Sequence, residues 1–180
     1  MYEEMLVRYC SPTLAGLKTG NIFAAPFDER EEVFRKIRTF NRRFRDKDIR
    51  MIPLRIGIKR ALIYVYRPKK LIGILESEAA FSLLKELGYD PNLPQKCIGD
   101  LIRRINFQKD FPHEIGLFLG YPPEDVRGFM KKDCPPKCTG FWKVYGDAAG
   151  AQKLFLKYKK CTDCYLKYYK ISSCIERLVV

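Results

Sequence analysis

From Asp28 to Lys47 the apolar residues Val33, Phe34, Ile37, Phe40 and Phe44 recur at steps of three and four, while Arg35, Arg38, Arg42 and Arg45 fall off that stripe. Positions three and four apart share one side of a helix, so the segment predicts an amphipathic basic helix. Ala61-Leu62-Ile63-Tyr64-Val65-Tyr66 is short, rich in β-branched and aromatic residues and followed by Pro68, the signature of a buried strand. Leu71, Ile72, Leu75, Ala79, Leu83 and Leu87 return to helical spacing over residues 69–87, and Gly88 suits the left-handed position that ends a helix. Further helices are predicted over Pro94 to Phe107, Pro112 to Leu119 and Pro123 to Lys132, each opened by a proline whose missing N–H costs nothing in a first turn.

Phe141-Trp142-Lys143-Val144-Tyr145 alternates like a strand, and Gly146-Asp147 then offers an Asp N-cap. After it, Ala151, Leu154, Phe155, Tyr158, Thr162, Tyr165 and Tyr169 form one stripe, predicting the longest helix of the chain. Near the start, Thr13 to Ala24 mixes small and apolar residues with Gly16 and Gly20 and reads as an irregular strand. The expected fold class is α+β or α/β: a small sheet of about three strands packed by several helices in a single two-layer domain spanning residues 1–180.

Composition narrows this picture. With 180 residues, 47% of them hydrophobic, the chain has the apolar surface to offset chain entropy, which excludes a disordered or low-complexity protein. The acidic start Met1-Tyr2-Glu3-Glu4-Met5 has no apolar core of a signal peptide, and the run Ala61 to Tyr66 is far shorter than a bilayer span, so a cytoplasmic protein is expected. Seven cysteines in a chain this size read as reduced thiols rather than a disulfide framework.

The net charge of +13 points to an anionic partner, either a small molecule or nucleic acid. It is concentrated: residues 35–70 hold 14 lysines and arginines against Asp46 and Asp48.

Several residues could carry chemistry. His113, the single histidine, stands in Asp110-Phe111-Pro112-His113-Glu114 at a predicted helix start, where a base or an anion contact is favoured. Glu114 beside it is a second catalytic candidate, and Cys10 is a candidate nucleophile that His113 could assist. Lys18, Arg67, Lys69, Lys70 and Lys143 border predicted strand ends, where small ligands usually meet sheets. Trp142 and Tyr145 read as core aromatics. Gly116, Gly120 and Val126, with apolar neighbours, have the spacing of a helix-turn-helix over residues 112–132, although Glu124 and Asp125 would open its second helix where phosphates want cations. Cys134, Cys138, Cys161 and Cys164 form two close pairs that could hold zinc or an iron–sulfur cluster, but without a glycine-containing knuckle. No motif names a cofactor.

Pro112-His113-Glu114 and Leu119-Gly120-Tyr121-Pro122, in a chain of this length, resemble the hallmark motifs of an uncharacterised bacterial family, domain of unknown function 3793. The stretches Cys10 to Lys18 and Trp142 to Asp147 are also similar to its members, whereas the paired cysteines lie outside the resemblance. The resemblance implies a stand-alone cytosolic protein of anaerobic, clostridia-like bacteria, and brings no activity, substrate or cofactor with it.

The leading expectation is therefore a pocket for a small anionic ligand, catalytic or not, lined by His113, Glu114, Tyr121, Lys18 and Cys10, with Arg67 and Lys143 as further ligand contacts. The alternatives are nucleic-acid binding by residues 35–70 with the helix-turn-helix-like 112–132 segment, and a cysteine metal or redox module.

Overall fold

The computed structural model of the protein describes residues 2–180. Among them the chain forms eight α-helices, a three-stranded antiparallel sheet and a two-stranded one, a mixed α+β architecture. They gather into two compact units, residues 2–69 with 158–180, and residues 70–157.

The first unit opens with a helix, α1 (Tyr2–Leu14), that buries Leu6, Val7, Cys10 and Leu14 at helical spacing. Its end explains why the irregular strand expected from Thr13 is not there. Gly16 takes φ +67°, its N–H donates to the Thr13 carbonyl and that of Leu17 to the Pro12 carbonyl, the paired bonds of a glycine-terminated helix. Pro12 sits in the last turn of the helix and masks the pattern. Only beyond this turn does strand β1 (Gly20–Pro26) begin.

The basic helix forms as the spacing predicts, α2 (Arg30–Arg43), burying Val33, Ile37 and Phe40. It leads to β2 (Arg50–Ile56), a strand that the sequence reading does not contain because Pro53 interrupts the pattern. Strand order β1-β3-β2 puts β2 at an edge, with a register shift between Pro53 and Arg55, the two settings in which a strand tolerates proline. The expected buried strand is central β3 (Arg60–Tyr66), whose Ala61, Ile63 and Val65 face the core formed with α1 and α2.

The helix expected over 69–87 is two helices, α3 (Pro68–Leu75) and α4 (Glu78–Glu86). Between them Ser77 turns extended and its Oγ donates to the Ile74 carbonyl at 2.7 Å, a local bond that competes with helix continuation. Gly88 does adopt the left-handed conformation, φ +79°.

In the second unit, α5 spans Pro94–Phe107 with Cys97, Leu101 and Ile105 inward. The helix expected from Pro112 is a single turn, α6 (Ile115–Phe118), followed by α7 (Pro123–Lys131), which packs against α4, α6 and the strand β5 (Lys143–Val144). That strand pairs with β4 (Cys138–Thr139), so Phe141 to Tyr145 supplies a short hairpin arm and not a third strand of the main sheet. Asp147 then caps the longest helix, α8 (Ala148–Ser172), accepting from the Gly150 N–H at 3.0 Å. A short 3-10 helix (Glu176–Leu178) follows in the first unit. No helix of the described residues is long and apolar enough to cross a membrane.

Candidate functional site

Residues 112–123 show how local sequence builds a cleft. Pro112 is buried and His113 exposed. One turn of α6 follows and ends at Gly120, φ +79°, with the Gly120 N–H donating to Leu117 and the Tyr121 N–H to Gly116 at 2.8 Å. Only glycine takes that conformation without strain, and the next residue is thereby thrown back along the helix. Pro122 is extended and Pro123 occupies the first turn of α7, where its missing N–H is harmless. The Leu119-Gly120-Tyr121-Pro122 motif is thus a helix stop and a helix start that fix Tyr121 against Gly116.

The resulting cleft holds about 300 Å³, within the range of small-ligand sites. Its walls are largely aromatic: Phe111, Tyr121, Phe129, Phe141 and Trp142. Trp142 stacks on Tyr121 with ring centres 4.7 Å apart and donates its indole N–H to Asp125 Oδ2 at 2.7 Å. Asp125 Oδ1 also accepts the backbone N–H groups of Tyr145 and Gly146, at 2.6 and 2.7 Å. This carboxylate, 2% exposed, is held by three N–H donors, an arrangement that makes a buried charge tolerable and ties α7 to the hairpin. Burial pushes the Tyr121 hydroxyl up to about 12, so it is a hydrogen-bonding phenol, donating to the Phe141 carbonyl at 3.3 Å.

Two basic side chains stand at the cleft, both exposed and both against Phe129. The His113 ring meets it edge-on at 4.9 Å and 89°, and Lys143 Nζ lies 5.5 Å from its centre. A cation is attracted to an aromatic face by roughly 0.5–1 kcal/mol at exposed positions, enough to bias where Lys143 points.

Of the residues expected at one pocket, His113, Tyr121 and Lys143 line this cleft. Glu114 does not. It is 4% exposed, and its Oε1 accepts from the Tyr89 hydroxyl at 2.9 Å and from Arg104 at 3.2 Å, while Arg104 also donates to the Leu87 carbonyl and lies over the Tyr89 ring. Burial and the neighbouring carboxylate push the Tyr89 hydroxyl far up. Glu114 therefore locks α5 to the end of α4.

Cys10, Lys18 and Arg67 belong to the first unit and are buried. Cys10 is wholly enclosed and burial drives its thiol far above the ordinary range, which removes the thiolate a nucleophile needs. Lys18 donates to the Gly20 carbonyl, and burial draws its ammonium down to about 7. Arg67 donates to the main-chain oxygens of Thr13, Leu14 and Val180, fastening the end of α1. Each is spent on architecture.

The 112–132 segment has a one-turn first helix, and Asp125 in the second turns inward to Trp142, so the expected helix-turn-helix is a structural corner. Cys134 and Cys138 lie in the second unit and Cys161 and Cys164 in the first, and all seven cysteines are free. Among the described residues no three His, Cys, Asp or Glu side chains gather as a metal site would require.

Phe111, Asp125, Phe129 and Phe141 were missed as cleft residues, whereas Trp142, read as a core aromatic, is buried as expected and also forms a wall of the cleft. The signal available was the density of aromatics between 111 and 145, which by itself marks core as readily as cleft.

Fold and site together define an α+β protein with an aromatic, base-rimmed cleft in its second unit. The chain belongs to the family described as Protein of unknown function (DUF3793), whose profile matches residues 6–179. Comparison with curated proteins and with solved structures finds no match.

Proposed function

We propose that the protein binds a small, flat, anionic molecule in the cleft of its second unit, in the reducing cytoplasm of a bacterium. The observation that carries this reading is the convergence of His113 and Lys143 on Phe129 at the edge of an aromatic cavity of about 300 Å³. Aromatic walls favour a planar body, and the exposed ammonium and imidazole favour a carboxylate or phosphate at its rim. The volume limits the body to about one or two rings. Seven free thiols fit a reducing compartment.

Glu114 and Cys10 take no part in this reading, because both are committed to buried structure. His113 and Lys143 are left as the cleft's exposed basic side chains, positioned to contact the anion.

A thermal-shift series of aromatic carboxylates, nucleotides and flavins against the wild type, His113→Ala and Lys143→Ala tests it. A binding ligand at a hundredfold excess over its Kd adds about 2.7 kcal/mol to stability, a shift readily resolved in a melt. The expected result is stabilisation of the wild type by a planar anion that either substitution diminishes. The reading fails if no planar anion shifts the wild type, or if the shift survives both substitutions.

A further inference from the structure

The first unit carries a separate feature. A groove of about 310 Å³ runs along α2, with Leu6, Phe40 and Ile175 among its apolar lining and Arg35, Lys36 and Arg43 among its charged lining. The apolar side of α2 is consumed by the core, where Val33, Ile37 and Phe40 are buried. On the outer side, Arg35, Arg38 and Arg42 are exposed, and at 100° per residue they fall within about 60° of one another around the helix axis. At a rise of 1.5 Å per residue they cover about 10 Å, the length over which one strand of a duplex presents about three phosphates. Glu31, one turn before Arg35, marks the limit of this face.

Strand β2, on which α2 packs, continues the charge. The β2–β3 hairpin projects Arg55, Lys59 and Arg60 into solvent, with Ile58 at its tip 93% exposed. No acidic residue occurs in the sequence between Asp48 and Glu76. Among the described residues the ion pairs in and around this segment are Lys36 with Glu32, Arg43 with Glu3 and Glu176, and Arg45 with Asp46. Arg35, Arg38, Arg42, Arg55, Lys59 and Arg60 take part in none of them. Guanidinium groups left unpaired on two adjacent elements match a repeated anion better than a single one, because a lone small anion leaves most of them uncompensated.

We propose that α2 and the β2–β3 hairpin form a docking surface for the phosphodiester backbone of a nucleic acid. Arg35, Arg38 and Arg42 contact phosphates along one strand, Arg55 and Arg60 extend the track, and Ile58 provides an apolar tip able to lie against a base step, as apolar wedges do in grooves. A lipid surface fits less well, since Val33, Ile37 and Phe40 of α2 are inside the core and the exposed Phe34 and Ile58 are too few to anchor an interfacial helix. The proposal is independent of the cleft in the second unit.

Anisotropy titrations of labelled random-sequence duplex and single-stranded oligonucleotides with the full chain test it, alongside vesicles of phosphatidylserine. The wild type should bind with a steep salt dependence, since each phosphate contact contributes about −0.7 to −0.9 to the slope of log K against log salt. Arg38→Glu/Arg42→Glu should weaken binding at least tenfold. Arg38→Gln/Arg42→Gln, which removes the two charges without reversing them and should keep the wild-type melting curve, should lower the slope by about 1.5. Lys153→Glu/Lys157→Glu in the second unit, an equal change of charge, should cost much less. Absence of binding at low salt, equal losses in the α2 and α8 variants, or tighter retention on the vesicles than on either oligonucleotide overturns the proposal.

Discussion

Gly116 and Val126 approach so closely that a Cβ on residue 116 would stand 2.7 Å from Val126 Cγ2, and it would also lie 3.1 Å from Tyr121 Cδ2. The contact joins α6 to α7 and sets the inner wall of the cleft. Val126 is fixed on α7 and Tyr121 by its stacking on Trp142, so Gly116→Ala should destabilise the protein by about 1–3 kcal/mol, the usual cost of overpacking. Denaturant unfolding measures this, and a loss below a few tenths would show that the wall yields.

Asp125 accepts three N–H groups and donates nothing. Asp125→Asn conserves shape but turns an amide NH2 toward an N–H donor on one side or the other. The expected loss is about 1–3 kcal/mol, from an unsatisfied buried donor, with a change in Trp142 fluorescence. Unchanged stability and emission would mean that Trp142 is held by packing alone.

Glu114→Ala strips the partner from Arg104, whose side chain is 20% exposed and keeps its bond to Leu87. Partial exposure and that second bond reduce the cost below the full buried-pair figure, to about 2–3 kcal/mol. His113→Ala should cost less than about 1 kcal/mol, since it gives up one edge-on contact at an exposed position. Melting curves of the two variants should therefore separate clearly, while the ligand response is lost only in His113→Ala. The reverse pattern would place the functional carboxylate at Glu114.

Lys18 gives the stability a pH signature. Burial lowers its folded-state value to about 7 from 10.5, so between these limits the unfolded chain binds the extra proton and stability rises with pH. Above about 9 the Cys10 thiol works in the opposite direction, because it ionises only on unfolding. Urea midpoints should thus climb from pH 7 toward pH 9, and Lys18→Met should flatten this part of the profile. A wild-type midpoint that falls over this interval would contradict the assignment.

Much of the fold is legible from local pattern. The stripes of α2, α5 and α8, the apolar run of β3 and the glycine stop at Gly88 each follow from one element and its immediate flanks. What escaped was held by partners far away in sequence. Strand β2 exists despite Pro53 because it lies at a sheet edge, and α1 persists through Pro12 because its apolar side is covered by the sheet.

The same division separates the candidate residues. Local pattern is enough to place His113 just ahead of a helix, Gly120 at the end of one, and exposed arginines on a strongly basic helix. The sequence also determined the chemical identity of Glu114, Cys10, Lys18 and Arg67, but not their surroundings. It took tertiary packing to enclose all four, Cys10 in the apolar core and Glu114, Lys18 and Arg67 bound to phenol, guanidinium or backbone, and to bring His113 and Lys143, thirty residues apart, together on Phe129. The reason is physical: a side chain's chemistry follows from its type, whereas its exposure and its partners follow from which distant surfaces the chain buries together.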